Sequence, residues 1–439
     1  MRQAALLLWL LAGCARSPLP EVAETPVPTQ QRALFWAQLA TTATAPEPFP
    51  EALFYYGDTH FHSGFSGDNP HDQEPLQAYR SACERTPQLA LRYGPRLGGF
   101  FLFLSDHITY IKTRADMDES RFQIMRRQAD DPSVDRSGPG FTFTAFAGAE
   151  LTGLGRAGHP EWDDKFGHLN LFLTDSVADF VENDVSSNWG GTQAMDKFSA
   201  NPEHLGQFNH PGYGNEPRTG DDADHLYPYS PARDRVFRLI EVNDDRPAHW
   251  ETGIAQYNVC LRQGYHVSPV VGTDIHNTKS GLTGQARTVV VMPSTLGLTL
   301  WERRAMLVHY LRLGRVFATE SPTVEITWSL NGYPMGSIMQ RPQQPSSLQL
   351  SVSCNNSHVA RVELVGGIDS QMPAAKIDQE SQCTAILYRW EPQRADFSSV
   401  QQLANKDLDK CAYVYLKVTL ASGQRAVTAP IYLESEPVK

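Results

Sequence analysis

Cysteine is scarce in this 439-residue chain: there are six, and no two stand in a Cys-x-x-Cys pair, so a thiolate zinc site is not expected. Long apolar runs are missing too. Beyond the extreme N-terminus nothing approaches the roughly 20 residues that span a bilayer. No basic block is present, and 38 basic against 49 acidic residues leave a formal net charge of −11. Nucleic-acid affinity depends on phosphate neutralisation by Lys and Arg, so a nucleic-acid partner is not expected. There is no Gly-x-Ser-x-Gly elbow, no His-Glu-x-x-His helix and no P-loop, so serine-hydrolase, zincin and P-loop chemistry lack support. What remains is 41% apolar and 20% charged, a globular composition and not a disordered, collagen-like or coiled-coil one. The length suggests two or three domains. Fourteen histidines ask for an explanation.

The N-terminus reads as an address. Arg2 supplies positive charge, Ala4 to Leu11 a short apolar stretch, and small residues lead to Cys14. This is the layout of a secretory signal, too short to span a membrane. Leu11-Ala12-Gly13-Cys14 resembles the lipobox of bacterial lipoproteins. That resemblance implies a signal peptide over 1–13, acylation of Cys14 and attachment to the cell envelope. Ala15 follows with no Asp to retain the chain at the inner membrane, so the outer membrane is expected. Residues 15–50 hold seven prolines, which makes 14–50 a semi-rigid tether. Export permits disulfides, but the spacing of Cys83, Cys260, Cys354, Cys383 and Cys411 fixes no connectivity.

From 51 to 320 one unit recurs: an apolar strand followed by polar chemistry. Strands are expected at 53–60, 100–107, 141–150, from 168, and at 205–210, 236–243 and 266–276. They are near-continuous apolar runs, as strands buried on both faces should be. Helical periodicity separates several of them, at about 74–92, 114–129, 191–200, 249–263 and 299–314. Alternating strands and helices predict an α/β fold with a parallel sheet. Chemistry at strand ends predicts a TIM-like barrel of seven strands. From 321 to 439 the pattern changes to short alternating strands between Gly, Pro, Asn and Ser turns, which predicts an antiparallel β-sandwich domain with no ligand cluster of its own.

The strand ends carry metal-ligand residues. His60 and His62 form a His-x-His, and on a strand residues i and i+2 face the same way. His107, His168, His210, His276, Asp68, Glu150 and Asp274 also sit at or beside strand ends. Any one of them alone would more often be a packed or surface group. Nine converging by accident is a different matter. Buried carboxylates need a partner, and a dication provides one.

These residues form a pattern. His60-Phe61-His62-Ser63 with Ser66 and Asp68, then Ser105-Asp106-His107, Gly148-Ala149-Glu150, His168, His210-Pro211 and Gly272-Thr273-Asp274-Ile275-His276 resemble the PHP (polymerase and histidinol phosphatase) metallohydrolase superfamily. Tyr56-Gly57-Asp58-Thr59-His60, Gly167-His168-Leu169-Asn170, the run through Asn277 and Arg315-Val316-Phe317-Ala318-Thr319 are similar to its CehA/McbA branch. The resemblance spans about residues 53–340. It implies a distorted (β/α)7 barrel with two or three metal ions. His60, His62, Glu150 and Asp274 would hold the first. Glu150 would bridge to a second held by His168 and His210. Asp68, His107 and His276 would hold a third. Asp68 departs from the pattern, where His is common, and implies a harder metal or a weaker site. Thr273 stands where Ser is commoner. Asp58 and Asp106 are expected to orient ligating histidines and not to ligate.

Mixed imidazole and carboxylate donors suit Zn, Mn or Fe. Clustered dications bring the pKa of water from 15.7 towards about 7 and polarise a substrate oxygen. The expected function is therefore metal-dependent hydrolysis of a phosphoester, ester or carbamate bond in a small molecule. The rival is a non-catalytic envelope-binding lipoprotein that keeps the scaffold. Arg156, Arg218 and Lys279, in long loops after the strands, are candidates for holding an anionic substrate, though for each a solvated surface charge is the favoured reading. The oligomeric state is not legible.

Overall fold

Strands Leu53–Phe61 (β1) and Leu97–Ile108 (β2) carry apolar runs, Leu53 to Tyr56 and Phe100 to Leu104, on both faces because both are covered, and polar residues follow each run. Phe54, Tyr56, Phe100, Leu102 and Leu104 enter one core cluster, while Tyr55, Phe101 and Phe103 enter another on the opposite face. In the second cluster Phe103 stacks on Phe146, ring centroids 4.1 Å apart. Burying one such side chain contributes roughly 1.5–3 kcal/mol. The computed structural model describes residues 52–66, 74–108, 117–135, 137–138, 140–152, 168–181, 191–211, 229–276, 282, 284–368 and 384–434.

The strands that follow are Ser137–Gly138 (β3), Phe141–Thr152 (β4), His168–Phe172 (β5), Leu205–Asn209 (β6), Phe237–Asn243 (β7), Ser268–Val271 (β8), Arg287–Met292 (β9) and Val316–Thr319 (β10). After them come Val324–Leu330 (β11), Tyr333–Pro334 (β12), Ile338–Gln340 (β13), Ser346–Cys354 (β14), Val359–Ile368 (β15), Thr384–Trp390 (β16), Asp396–Leu403 (β17), Cys411–Leu420 (β18), Arg425–Thr428 (β19) and Ile431–Glu434 (β20). Among the described residues, sixteen strands join one mixed sheet, along the path β13-β20-β18-β19-β10-β9-β1-β2-β4-β5-β6-β7-β8, and β12, β11, β14 and β17 form a second sheet.

The α/β fold expected from the sequence, a distorted (β/α)7 TIM-like barrel with its own C-terminal sandwich, is therefore corrected. The described chain is mostly β. β1–β2, β2–β4, β6–β7 and β7–β8 pair parallel, but β4–β5, β5–β6, β1–β9 and β9–β10 pair antiparallel. The physical reason lies in what periodicity reports. Burial on both faces makes a strand continuously apolar whichever way its neighbour runs. The C-terminal strands do not stand apart either. β19 pairs with β10, so the large sheet continues past residue 320. Residues Thr44–Lys439 form one compact unit.

Helices Pro75–Ala90, Glu119–Ala129, Gly191–Ser199, Trp250–Arg262 and Leu300–Arg312 lie where their periodicity places them. The last starts on a capping box in which Thr299 and Glu302 satisfy each other's backbone N–H. Cys83, Cys260, Cys354 and Cys411 are buried and not in disulfides. The signal peptide, Cys14 and the tether lie outside the described residues.

Candidate metal centre

Sheet register assembles the centre. His107 on β2 is paired with Glu150 on β4, Glu150 with Asn170 on β5, and His168 with Asn209 on β6. The closing link is a parallel bridge between Phe61 and Ile275. It sets His60 and His62, which flank Phe61, beside Asp274 and His276, which flank Ile275. The backbone N–H of Asp274 donates to His60 O at 2.9 Å, and that of His62 to Ile275 O at 3.3 Å. His210 and Asp274 have positive φ, 24° and 51°. Non-glycine residues are held there only where the surroundings impose it, and such positions cluster at functional sites.

Glu150 lies at the middle, fully buried. Its Oε2 is 3.2 Å from His60 Nε2, 3.2 Å from His62 Nε2 and 3.0 Å from His107 Nδ1. Its Oε1 is 2.8 Å from His168 Nδ1 and 3.5 Å from His210 Nε2. Asp274 Oδ1 is 3.2 Å from His62 Nε2 and 3.5 Å from His60 Nε2. The two Nε2 atoms of His60 and His62 face each other at 3.0 Å, and those of His107 and His276 at 3.4 Å. Three groups therefore have ligand atoms mutually within 4.8 Å: His60, His62, Glu150 and Asp274; His62, His107 and His276; and His107, Glu150 and His168. These buried and half-buried His, Glu and Asp side chains can hold a metal ion.

The donor set fits such an ion on its own geometry. Glu150 Oε2 is buried without a well-formed hydrogen bond, although three imidazole nitrogens surround it. Lone pairs converging on one point without protons between them are what a cation satisfies. Electrostatics agree. Burial opposes ionisation of Glu150, but His60, His107 and His168 outweigh it and hold its carboxyl well below the usual glutamate range. Burial likewise disfavours charge on His60, yet Glu150 and Asp274 raise its pKa well above the ordinary value. Asp274 is lowered against burial by His60 and His62. Burial lowers His210. The carboxylates thus attract positive charge, and imidazole protons are the charge a metal ion displaces.

Asp58 and Asp106 stand behind the donors. Asp58 Oδ1 accepts the backbone N–H of His60 and of Thr273, each at 3.0 Å, tying β1 to the segment bearing Asp274. Asp106 accepts from Ser63 N at 2.6 Å and from Ser66 Oγ at 3.0 Å. Ser66 Oγ lies 2.7 Å from His62 Nδ1, so Asp106 reaches that imidazole through a hydroxyl.

Two further groups escaped the sequence reading. Glu241 on β7 is fully buried, and its Oε2 lies 3.0 Å from His60 Nδ1. Asn209 Nδ2 donates to Glu150 Oε1 at 2.9 Å and to Asn170 Oδ1 at 2.8 Å. A signal for Glu241 existed: it is the one acid in a strand otherwise expected to be buried, and such a carboxylate requires a partner.

Eight of the nine expected ligands thus meet at one place. The grouping differs in detail, since His107 lies within ligand distance of Glu150 and His168 as well as of His62 and His276. Asp68, Arg156, Arg218 and Lys279 lie outside the described residues. No protein-family model matches the chain, and no curated protein does. Among solved structures, the crystal structure of PsfC from Pseudomonas syringae PB-5123 aligns over 57% of this chain and 88% of its own, at 12% identity and a TM-score of 0.33. A likeness that slight carries no argument about function.

Proposed function

We propose that this chain is a metal-dependent hydrolase of the PHP type, acting on a phosphoester, ester or carbamate bond of a small molecule. The observation that carries this is Glu150, whose two oxygens face different sets of imidazoles: Oε2 towards His60, His62 and His107, Oε1 towards His168 and His210. A carboxylate so placed suits a bridge between two ions. Zn, Mn or Fe matches the imidazole and carboxylate donors. When bound, such ions supply Lewis acidity that makes water nucleophilic near neutral pH. The chain's own contribution is to fix that chemistry in place. His60, His62 and Asp274 are held by the Phe61–Ile275 bridge, and Asn209 orients Glu150 through its Oε1. The motif order supports the family assignment, and no shared fold is invoked for it. The lipobox-like N-terminus supports a place in the cell envelope, tethered through Cys14.

The test is metal analysis of purified protein combined with a hydrolysis screen over the three bond classes. Two or three ions per chain and activity against one class are expected. A fully metal-loaded protein inert towards all three would overturn hydrolysis and favour the binding-protein alternative. A protein that takes up no ion would overturn the centre itself.

A further inference from the structure

We infer that Glu241 is a positioning residue that fixes His60 as an Nε2 ligand. This rests on the metal-centre part of the proposed function and not on hydrolysis. Both side chains are fully buried, and Glu241 Oε2 lies 3.0 Å from His60 Nδ1. His60 Nε2, on the other side of the ring, is the atom that faces Glu150, His62 and Asp274. An imidazole that gives its Nε2 lone pair to a cation keeps its one proton on Nδ1, and a carboxylate there accepts it. Glu241 therefore selects the tautomer and sets the ring plane. Among the described residues Glu241 is the partner of His60 Nδ1, whereas His62 Nδ1 is served by the Ser66 hydroxyl.

The space for this pair is made by Gly272. A Cβ at that position would stand 2.3 Å from His60 Cβ and 2.7 Å from Glu241 Oε2. The segment carrying Asp274 can pass over the His60–Glu241 pair only as bare backbone. Glycine in the Gly-Thr-Asp run thus has a reason in the proton side of His60.

The experiment measures Zn affinity by competition with a chromophoric chelator, on wild type, Glu241→Ala, Glu241→Gln, His60→Ala and the His60→Ala/Glu241→Ala double variant. Glu241→Ala should weaken the ion that His60 holds by about 10- to 100-fold. Glu241→Gln, which still offers an acceptor oxygen, should recover most of that loss. In the His60→Ala background, removing Glu241 should change affinity less than twofold, because its target is gone. Circular dichroism and melting of the metal-free proteins identify any variant that does not fold. Wild-type affinity in Glu241→Ala would overturn the inference while leaving the metal centre standing. So would equal, additive losses with and without His60, which mark a general packing role. A wild-type protein that binds no Zn would defeat both this inference and the proposed centre.

Discussion

Asp274 shows how much one residue is asked to do. It holds a left-handed φ of 51°, its N–H donates to His60 O, and its carboxylate approaches two imidazoles. Asp274→Ala removes the carboxylate without filling the space. The variant should lose at least one ion per chain by metal analysis and hydrolysis by more than about 100-fold, since even residues that only orient a ligand cost 10–100-fold. Retained metal and activity would show that the centre works without it. The donors were readable before the structure because each is a polar residue at the end of an apolar run, where a bland explanation is costly. Glu241 was not read because it lies inside its strand and not at the end. A carboxylate amid Leu239, Ile240 and Val242 reports that it has a partner but not which one.

Elements were more legible than their directions. The five helices overlap the expected spans because their apolar periodicity is local, although one begins at Glu119, behind its Asp118 cap, and not at the expected 114. Antiparallel β5 defeats the barrel reading: it is five residues long and pairs with both β4 and β6. Nothing in His-Leu-Asn-Leu-Phe encodes which way it runs. At this scale Gly272→Ala tests the seam between β8 and β1. The added methyl must displace His60 or Glu241, which should cost about 1–3 kcal/mol in urea denaturation, as overpacking does. It should also weaken metal uptake, and a variant as stable as wild type would show that the seam has room. A second element-level test concerns the helix Pro231–Val236. Burial raises the Asp234 carboxyl, but the His266 hydrogen bond to it, 2.8 Å from Nδ1, brings it below the ordinary aspartate value. A lowered folded-state pKa stabilises above the unfolded value of about 4, and that stabilisation is lost as pH falls through the folded one. Asp234→Asn should therefore be less stable than wild type at pH 7 and lose less stability between about pH 5 and pH 3. An unchanged acid slope would count against the pair.

At the scale of the whole molecule, the change to short alternating strands near residue 320 does not end the large sheet. Phe317, Ala318 and Thr319 on β10 pair with Thr428, Val427 and Ala426 on β19. Tyr56 Oη donates to Val324 O at 3.2 Å, Tyr432 Oη to Val267 O at 3.0 Å, and Arg425 bonds Glu320 at 2.8 Å. A pattern of short alternating strands says that a region is antiparallel. It is silent on whether one of those strands completes a neighbour's sheet, because an edge buried by a later segment looks like any other strand. Removing residues 321–439 would strip β10 of one partner and expose a row of unpaired N–H and C=O groups together with apolar surface, the combination that drives edge-to-edge association. The full chain should then melt in a single calorimetric transition, raised by added Zn in proportion to the logarithm of its concentration above Kd. The fragment ending at 320 should be recovered as aggregate. Two separable transitions, or a soluble fragment that still takes up metal, would mean that the C-terminal strands merely cover a centre already complete without them.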